Sequence, residues 1–437
     1  MLQPVSVEAK SLRDYAPLVG EEIIEQIYQM AKPLAGARVL HMNATAFGGG
    51  VAEILTTLVP LMSDIGLDVE WRVIYGTDTF FNVTKSFHNA LQGAPLSLGT
   101  EAQRIYAEIN HLNAQAFRGK YDFVVVHDPQ PAAMLHFLDR RLSRHWIWRC
   151  HIDTSQPNQA VLGFLKPYLE QYDAAIFTLP GFVPAELRFP RLFFITPTID
   201  PLSPKNRPLS IEEARRILAR FNIDHTRPLV TQVSRFDPWK DPLGVMNAYR
   251  MAKVELPQLQ LALVGSMATD DPEGWHYYER TLRHAANDYD IHILHNLHGV
   301  SNVEVNAFQL VSDVVVQKST REGFGLVVTE ALWKGKAMVA GNVGGIPLQV
   351  IDGETGYLAE NILGCAERIH HLLTRPDLRE HLGQRAREHV RRHFLSPRHL
   401  KDYLELFIAL DQSSGTTGAK GIGEVESQAR SEKEDEG

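Results

Sequence analysis

The sequence predicts an α/β protein made of two doubly wound, Rossmann-like domains that face each other across a deep cleft. Short and nearly all-apolar segments alternate with amphipathic helical stretches, once before and once after a proline-rich segment at residues 196–210. Such apolar segments are typical of parallel strands that are buried on both faces of a sheet. The alternation, its interruption and its restart therefore predict two separate sheets.

Four strands are predicted in the first domain. They are "ARVLHMN" (37–43), "DFVVVHD" (122–128), "HWIWRC" (145–150) and "DAAIFT" (173–178). The first strand runs into a glycine-rich loop and then a helix. The proline-rich segment that ends this series cannot continue a helix interior or a central strand, so it is predicted to be the linker between the domains.

Four more strands follow the linker. They are "PLVTQVS" (228–234), "LQLALVG" (259–265), "YDIHIL" (289–294) and "DVVVQKS" (313–319). The resulting division is a first domain at 1–203, a second at 204–396, a helix at 397–412 that packs back on the first domain, and a tail at 413–437. The tail is rich in Gly, Ser and Glu without apolar periodicity, so it is predicted to be disordered.

The composition excludes several classes of protein. Of the 437 residues, 44% are hydrophobic and 22% charged, and the net charge is −8 without a long basic run. A nucleic-acid partner is therefore not expected, because a duplex-binding face needs clustered Lys and Arg. Only two cysteines occur, Cys150 and Cys365, which favours a reducing cytoplasm over a disulfide scaffold. We expect no membrane span, and the N-terminus lacks a signal pattern.

The glycine-rich loop "FGGGVAE" (47–53) comes between a strand and a helix. Ligands of doubly wound sheets bind beyond the carboxyl ends of the strands. Glycines such as Gly49 and Gly50 let backbone N–H groups approach a ligand, and the helix N-terminus suits an anion such as phosphate. A tight strand-to-helix turn without a ligand explains the glycines equally well.

A pair of cations follows the first strand of the second domain. Arg235 and Lys240, in "SRFDPWKDP" (234–242), lie where the cleft should open. A guanidinium and an ammonium at that edge can neutralise a diphosphate. The alternative is two surface cations paired with Asp237 and Asp241, and the strand-end position favours the functional interpretation.

Two His–Asp pairs lie at the ends of neighbouring strands in the first domain. They are His127 with Asp128, and His151 with Asp153. A lone histidine in such a place is more often structural than catalytic. No HExxH or paired-cysteine spacing accompanies them, so no protein metal site is predicted. The "TDD" at 269–271 could mimic a metal motif, but a loop is the favoured interpretation.

Two carboxylates, Glu322 and Glu330, flank the glycine-rich turn of "REGFGLVVTE" (321–330). In a continuous helix they would be separated by about 12 Å of rise and about 80° around the axis. A glycosidase acid pair is only about 5–9.5 Å apart. The glycines break the helix, so an acid pair is not excluded, but the spacing favours a clamp on a ligand.

Together these motifs resemble the retaining family 4 glycosyltransferases of the GT-B fold. The resemblance is carried by "SRFDPWKDP", "REGFGLVVTEALWKGKAMVAGNVGGIP" and "DGETGYL", and it spans nearly the whole folded chain. Runs such as "VVHDPQPAAM" and "WRCHID" resemble members that join glucose from a nucleoside diphosphate glucose (ADP- or UDP-glucose) to free glucose, giving α,α-trehalose. The resemblance thus implies a hexosyltransferase whose reaction can be reversible.

The resemblance also implies roles for individual residues. It assigns Glu330 to the ribose hydroxyls of the donor and Glu322 to the donor sugar. Arg235 and Lys240 match the residues on the diphosphate, and His151 matches a histidine near the donor sugar. Backbone contacts to the donor are implied for Gly49, Gly50, Gly323, Phe324, Gly325 and Leu326. Candidates for the acceptor pocket are Asn82, His127, Asp128 and Asp153.

The implied chemistry gives Glu322, His151, Arg235 and Lys240 catalytic roles, with Glu322 holding the sugar rather than attacking it. No covalently bound cofactor is expected, Mg²⁺ can accompany the diphosphate, and the partners are sugars and sugar nucleotides. A homodimer is one assembly that the sequence allows. Competing interpretations are a trehalose phosphorylase, another family 4 enzyme with a different acceptor, a sugar-nucleotide sensor, and a hydrolase.

Overall fold

Two parallel sheets, each flanked by helices, form the framework of the molecule. The computed structural model describes residues 2–267 and 272–414. The "TDD" segment, and the expected tail from residue 415 onward, lie outside the described residues. Within them the doubly wound α/β fold class predicted from the sequence is confirmed.

The first sheet has seven strands in the order β1-β3-β2-β4-β5-β6-β7. All pairs are parallel except the edge pair of β1 and β3. The strands are β1 (Gln3–Pro4), β2 (Arg38–Asn43), β3 (Asp68–Val73), β4 (Tyr121–His127), β5 (Ser143–Arg149), β6 (Ala174–Phe177) and β7 (Leu192–Phe194). The chain order reverses between β2 and β4, so this sheet has its topological switch point there.

The second sheet has six strands, all parallel, in the order β10-β9-β8-β11-β12-β13. They are β8 (Leu229–Val233), β9 (Gln260–Val264), β10 (Ile291–Leu294), β11 (Val314–Gln317), β12 (Met338–Gly341) and β13 (Gly356–Ala359). The order is that of a dinucleotide-binding fold, in which the switch point lies between the first and fourth strands. Here those strands are β8 and β11.

Helices cover the faces of the sheets. In the first domain they are α1 (Ala16–Val19), α2 (Glu21–Ala31), α3 (Gly50–Asp64), α4 (Asp78–Leu91), α5 (Thr100–Gln115) and α6 (Gln159–Leu169). The rest are α7 (Ile211–Leu218), α8 (Pro242–Glu255), α9 (Pro272–Ala285), α10 (Asn302–Val311), α11 (Leu326–Trp333), α12 (Ile362–Leu373), α13 (Pro376–His393) and α14 (Ser396–Ser414). No helix of the described chain is long and apolar enough to span a membrane.

The chain crosses between the domains twice, and the two crossings are hydrogen-bonded to each other. The amide of Ile199 donates to the carbonyl of Phe394 at 3.0 Å, and the amide of Ser396 donates to the carbonyl of Ile199 at 3.1 Å. The second crossing leads into α14, which packs on α2 and α3 of the first domain. The exact domain boundaries stay a prediction.

One hydrophobic core is shared by the two domains beside these crossings. Leu55 of α3, Tyr403 of α14 and Val328 of α11 belong to the same group of contacting buried side chains. The packing joins the domains at this place and brings the N-termini of α3 and α11 together: a Cβ on Gly50 would lie 3.4 Å from Leu326 Cδ1. The two switch points therefore face each other.

Candidate active site

The candidate site is the space between the two switch points. On the side of the second domain it is bounded by the loops after β8 and β11, which carry Arg235, Lys240 and Glu322. On the other side lie the glycine loop after β2 and the residues that end β4, His127 and Asp128. Doubly wound sheets bind their ligands at this position.

Glu322 and Lys240 form an ion pair on the second-domain side. Lys240 Nζ lies 2.5 Å from Glu322 Oε2, and the Ser319 hydroxyl donates to the same oxygen at 3.2 Å. The carboxylate is 8% exposed, and Lys240 lies in the short 3-10 turn Pro238–Lys240 that follows β8. A charge-assisted bond in such a place fixes both side chains in one orientation.

The turn that carries Glu322 needs glycines because other backbone lies against it. Gly344 has φ 56°, and a Cβ there would fall 1.6 Å from the carbonyl oxygen of Glu322. A Cβ on Gly323 would lie 2.6 Å from the carbonyl oxygen of His151, which belongs to the other domain. The second contact shows that Glu322 and His151 are brought together across the cleft.

The remaining residues of the turn lead into α11. Phe324 is 5% exposed and packs on Phe394, with ring centroids 5.6 Å apart. Gly325 caps the N-terminus of α11, and Gly49 holds the same position at α3. Two helix N-termini, each with unpaired N–H groups and a positive dipole end, therefore meet at the cleft.

Arg235 is placed differently from Lys240. Its side chain is 59% exposed and lies 3.2 Å from Asp237 Oδ2. It also acts on His88 of α4 in the first domain: burial, followed by the charges of Arg235 and Lys85, lowers the pKa of His88 to about 4. The guanidinium thus lies at the solvent side of the cleft, where pairing with Asp237 leaves donors for an anion.

Glu330 is fully buried and lies beneath the N-terminus of α3, rather than on the open cleft. Its Oε1 is 3.2 Å from Lys205 Nζ, a distance within ion-pair range that lacks hydrogen-bond geometry. Lys205 also binds Glu53 Oε2 at 2.8 Å. Burial opposes the charge of Lys205, but the carboxylates of Glu330 and Glu53 outweigh it and raise its pKa.

Glu53, Lys205 and Glu330 form a cluster that joins both domains and the linker and that was not predicted from the sequence. Glu53 lies in the first turn of α3, and its pKa is raised by burial and by Glu330. Its place in the glycine-loop motif was a usable signal. Lys205 lies in a proline-rich linker, where nothing local distinguishes it from any solvated lysine.

Asp128 has a strained backbone and an unusual environment. Its φ is 62°, in the left-handed region that non-glycine residues rarely adopt outside functional sites and turns. Its Oδ1 accepts the backbone N–H of His151 at 2.8 Å. Burial raises the pKa of Asp128 to about 7, although the His151 N–H and Arg149 act against this rise.

The other candidates for the acceptor pocket differ in availability. Asp153 Oδ1 accepts from the backbone N–H and the hydroxyl of Ser155, at 3.0 and 2.6 Å, so it closes a local turn. Asn82 is exposed on α4. His127 is 1% exposed, and both its ring nitrogens face other histidines. The structure links His151 directly to two of these candidates, to Asp128 through its backbone N–H and to His127 through its ring.

No group of three or more His, Cys, Asp or Glu side chains suited to a metal ion occurs among the described residues. The association of Mg²⁺ with a bound diphosphate therefore stays a prediction about the ligand. Phosphate oxygens would supply its coordination there, as is usual for this ion.

The chain matches two protein-family models. Residues 41–184 match the N-terminal domain of trehalose synthase, and residues 213–389 match the group 1 glycosyl transferases. Trehalose synthase from Rubrobacter xylanophilus is 52% identical over 414 residues, which are 94% of this chain and 99% of that protein. Trehalose phosphorylase from Grifola frondosa is 27% identical over 423 residues, covering 86% of this chain and 58% of the relative.

The fold is shared with solved structures. A UDP-forming α,α-trehalose-phosphate synthase from Burkholderia xenovorans, in complex with glucose-6-phosphate, gives a TM-score of 0.68 at 15% identity, covering 85% of this chain and all of that one. This likeness concerns the fold alone, which is GT-B. With the extensive match to a curated relative, it follows that the chain belongs to the trehalose synthase family and is a glycosyltransferase.

Proposed function

We propose that the protein is a retaining family 4 glycosyltransferase that transfers glucose from ADP- or UDP-glucose to free D-glucose, giving α,α-trehalose. The observation that carries the proposal is the Glu322–Lys240 pair at one switch point, with His151 and Asp128 facing it from the other. The family supports the product, and the fold of a UDP-forming enzyme supports a nucleotide donor.

The second domain holds the donor in this proposal. Lys240 and Arg235 bind the diphosphate, which gains negative charge as the glycosidic bond breaks, so their attraction is strongest in the transition state. The N-termini of α3 and α11 add N–H donors for the phosphate oxygens. Glu322 binds hydroxyls of the donor sugar through Oε1, because Lys240 and Ser319 both hold Oε2.

The first domain holds the acceptor. Asp128 accepts a hydrogen bond from a glucose hydroxyl through Oδ2, because Oδ1 already accepts from the backbone N–H of His151. His151 contacts the transferred sugar beside Gly323. The anomeric hydroxyl of the acceptor attacks C1 of the donor, the C1–O bond to the diphosphate breaks, and the hydroxyl proton passes to the leaving phosphate oxygen on the same face of the sugar.

The ribose of the donor competes with Lys205 for Oε1 of Glu330, since that ammonium lies 3.2 Å from this oxygen, whereas Oε2 has no hydrogen-bond partner among the described residues. Glu53 Oε2 also lies 2.8 Å from Lys205 Nζ. Glu53 therefore keeps this ammonium paired when the ribose hydroxyls take its place at Glu330. Donor binding is thereby coupled to a contact that spans both domains and the linker. The exchange keeps a buried carboxylate from being left without a partner.

The test measures nucleoside diphosphate release from a panel of nucleoside diphosphate glucoses, with and without free D-glucose. The proposal predicts release that requires glucose, and the reverse reaction with trehalose and the nucleoside diphosphate. Replacement of D-glucose by other sugars identifies a different acceptor. Absence of release with every donor in the panel contradicts the proposal.

A trehalose phosphorylase is distinguished in the same assay by an arm that contains trehalose and inorganic phosphate. Phosphate-dependent consumption of trehalose without any effect of UDP or ADP would replace the proposed reaction by phosphorolysis. Glu330 favours the nucleotide-dependent reaction, because its carboxylate can bind the ribose hydroxyls of a nucleotide donor. A phosphate ion offers it no such hydroxyls.

A further inference from the structure

Three histidines form a hydrogen-bonded chain that rises through the first domain to the cleft. His41 lies in β2, His127 ends β4, and His151 follows β5. His41 Nδ1 lies 3.0 Å from His127 Nε2, and His127 Nδ1 lies 2.9 Å from His151 Nε2. The rings of His127 and His151 are stacked at 15°, with centroids 5.2 Å apart.

The three rings are neutral in the folded protein. His41 and His127 are 0% and 1% exposed, so burial is the first cause that lowers their pKa values, that of His41 to about 3. Burial and the guanidinium of Arg149 lower the pKa of His151. A neutral imidazole has one N–H and one lone pair, so the chain has only two proton orders that keep both hydrogen bonds.

The two orders differ at the ends of the chain. In the first, every Nδ1 carries the proton: His41 donates to His127, His127 donates to His151, and His151 Nδ1–H remains for the cleft. In the second, every Nε2 carries the proton, so His151 Nδ1 offers a lone pair. The second order also places an N–H on His41 Nε2, a buried atom that has no hydrogen-bond partner among the described residues.

The buried end of the chain decides between the orders. An orphaned buried N–H donor is rarer in native proteins than an acceptor with an unused lone pair. His41 Nε2 is therefore the lone pair, and the first order is favoured. The chain does not carry protons to solvent, because it ends at this buried nitrogen, so its effect is on the tautomer of His151.

We propose that His127 and His41 are positioning residues that fix His151 as the Nδ1–H tautomer and so present a neutral hydrogen-bond donor, not a base, to a sugar oxygen in the cleft. This role rests on the proposed function, in which His151 contacts the transferred glucose. His151 Nε2 is used by the chain, which leaves Nδ1 as the ring nitrogen for the substrate. His127 then acts through His151 and does not contact the acceptor.

The direct test is the ¹⁵N spectrum of the histidine side chains in the full-length protein labelled with [¹⁵N]histidine. Long-range ¹H–¹⁵N correlations distinguish protonated from unprotonated ring nitrogens, and single-histidine variants assign the signals. The expected result is a protonated Nδ1 and an unprotonated Nε2 on His151, His127 and His41 at pH 7.5. A protonated Nε2 on His151 overturns the proposal, whatever reaction the protein catalyses.

Two variants of His127 extend the test to activity. His127→Leu removes both hydrogen bonds, and we expect kcat to fall about tenfold with little change in KM for the donor, as for loss of one oriented donor. His127→Asn can still donate to His151 and should restore most of kcat. The control is His399→Leu, a buried histidine beside Tyr403 that is not bonded to the chain.

The outcomes separate the two proposals. If His127→Leu changes only the melting temperature, while kcat and the His151 signals match those of His399→Leu, the positioning role is wrong. If no variant or wild-type protein releases nucleoside diphosphate, the proposed function fails, and the wild-type spectrum still decides the tautomer. If His127→Leu does not fold, the wild-type spectrum decides alone.

Discussion

At the scale of single residues, three carboxylates of the site differ because their environments differ. Glu322 is held by an ammonium at the cleft, Glu330 is buried against Lys205, and Asp128 has no cation in hydrogen-bonding contact among the residues that the structure describes. Charge pairing keeps a buried carboxylate ionised, whereas burial without it favours the protonated form. Glu322 is thus suited to holding the donor sugar, and Glu330 to exchanging Lys205 for a ligand. Asp128 is suited to an acceptor contact that depends on pH.

Glu322→Gln tests the clamp. The amide keeps the shape of the side chain but loses the charge that Lys240 binds, so both the sugar contact and the orientation of the ammonium weaken. We expect kcat/KM to fall about 100-fold or more, measured by initial rates of nucleoside diphosphate release. The matched control is Glu354→Gln, which removes an exposed pair with Arg385 and should change little. A variant within twofold of wild type would contradict the role.

The raised pKa of Asp128, about 7, predicts a pH dependence. The Asp128 carboxylate is a strong acceptor for the hydroxyl group of the bound glucose when it is ionised. We therefore expect kcat/KM for glucose to rise as the pH increases through 7 and to fall as the pH decreases below it. In Asp128→Asn this limb should disappear and the rate should be low at every pH. Profiles of identical shape for the two proteins would show that another group titrates.

At the scale of elements, most strands were predictable from the sequence, the edge strand β10 included, whereas β1, β3, β7, β12 and β13 were not predicted. β2, β4, β5, β8 and β9 are buried along nearly their whole length because both faces of each are covered. β3 reads "DVEWRV" and β7 is the three-residue "LFF", and each is partly exposed. A short or mixed segment gains its strand conformation from its neighbours, so local pattern cannot identify it.

The site shows the same division. The loops after β2, β8 and β11 were predictable because strand ends and glycines mark them. The histidine chain joins His41 to His127, 86 positions later, and the cluster of Glu53, Lys205 and Glu330 joins residues that are still farther apart in the sequence. The registers of β2 against β4 and of β4 against β5, together with the docking of the domains, bring these residues together.

The turn between β11 and α11 depends on its contact with the other domain. Gly323→Ala places a methyl group 2.6 Å from the carbonyl oxygen of His151, so the turn or the domains must move apart. We expect a loss of kcat/KM of about tenfold or more, since a displacement of about 1 Å in a catalytic site has such effects. Steady-state kinetics would measure it.

The control for that change is Gly163→Ala in α6, where a Cβ meets no atom within 4 Å. In a helix interior this substitution should stabilise the protein by about 0.5–1 kcal/mol and leave the kinetics unchanged. If Gly323→Ala behaves like Gly163→Ala in both respects, the turn does not need the close approach that the structure shows.

At the scale of the whole molecule, the neutral buried histidines make stability depend on pH. The pKa of His399 is lowered by burial and by Arg398 and Arg149, so its unfolded form takes up a proton near pH 6.5 before the folded form does. The stability that it contributes is present above pH 6.5 and is lost as pH falls. The slope is up to about 1.4 kcal/mol per pH unit for one such group.

Comparison with His399→Leu isolates this contribution, because groups with raised pKa values, such as Asp128, act in the opposite sense in both proteins. In urea unfolding between pH 7.5 and 5.5, the free energy of unfolding should fall less steeply with decreasing pH in the variant. The difference in slope should correspond to about one bound proton. Equal slopes would mean that His399 is protonated in the folded protein.

In the proposed reaction, the cleft between the two switch points joins two glucose units at their anomeric carbons. One of these units comes from a nucleoside diphosphate glucose. The most direct measurement is ¹³C NMR of a reaction with unlabelled ADP- or UDP-glucose and [1-¹³C]glucose as acceptor. We expect one new labelled anomeric signal beside those of free glucose, that of α,α-trehalose, growing in step with nucleoside diphosphate release. Label that stays only in free glucose, or enters a disaccharide with any other linkage, would contradict it.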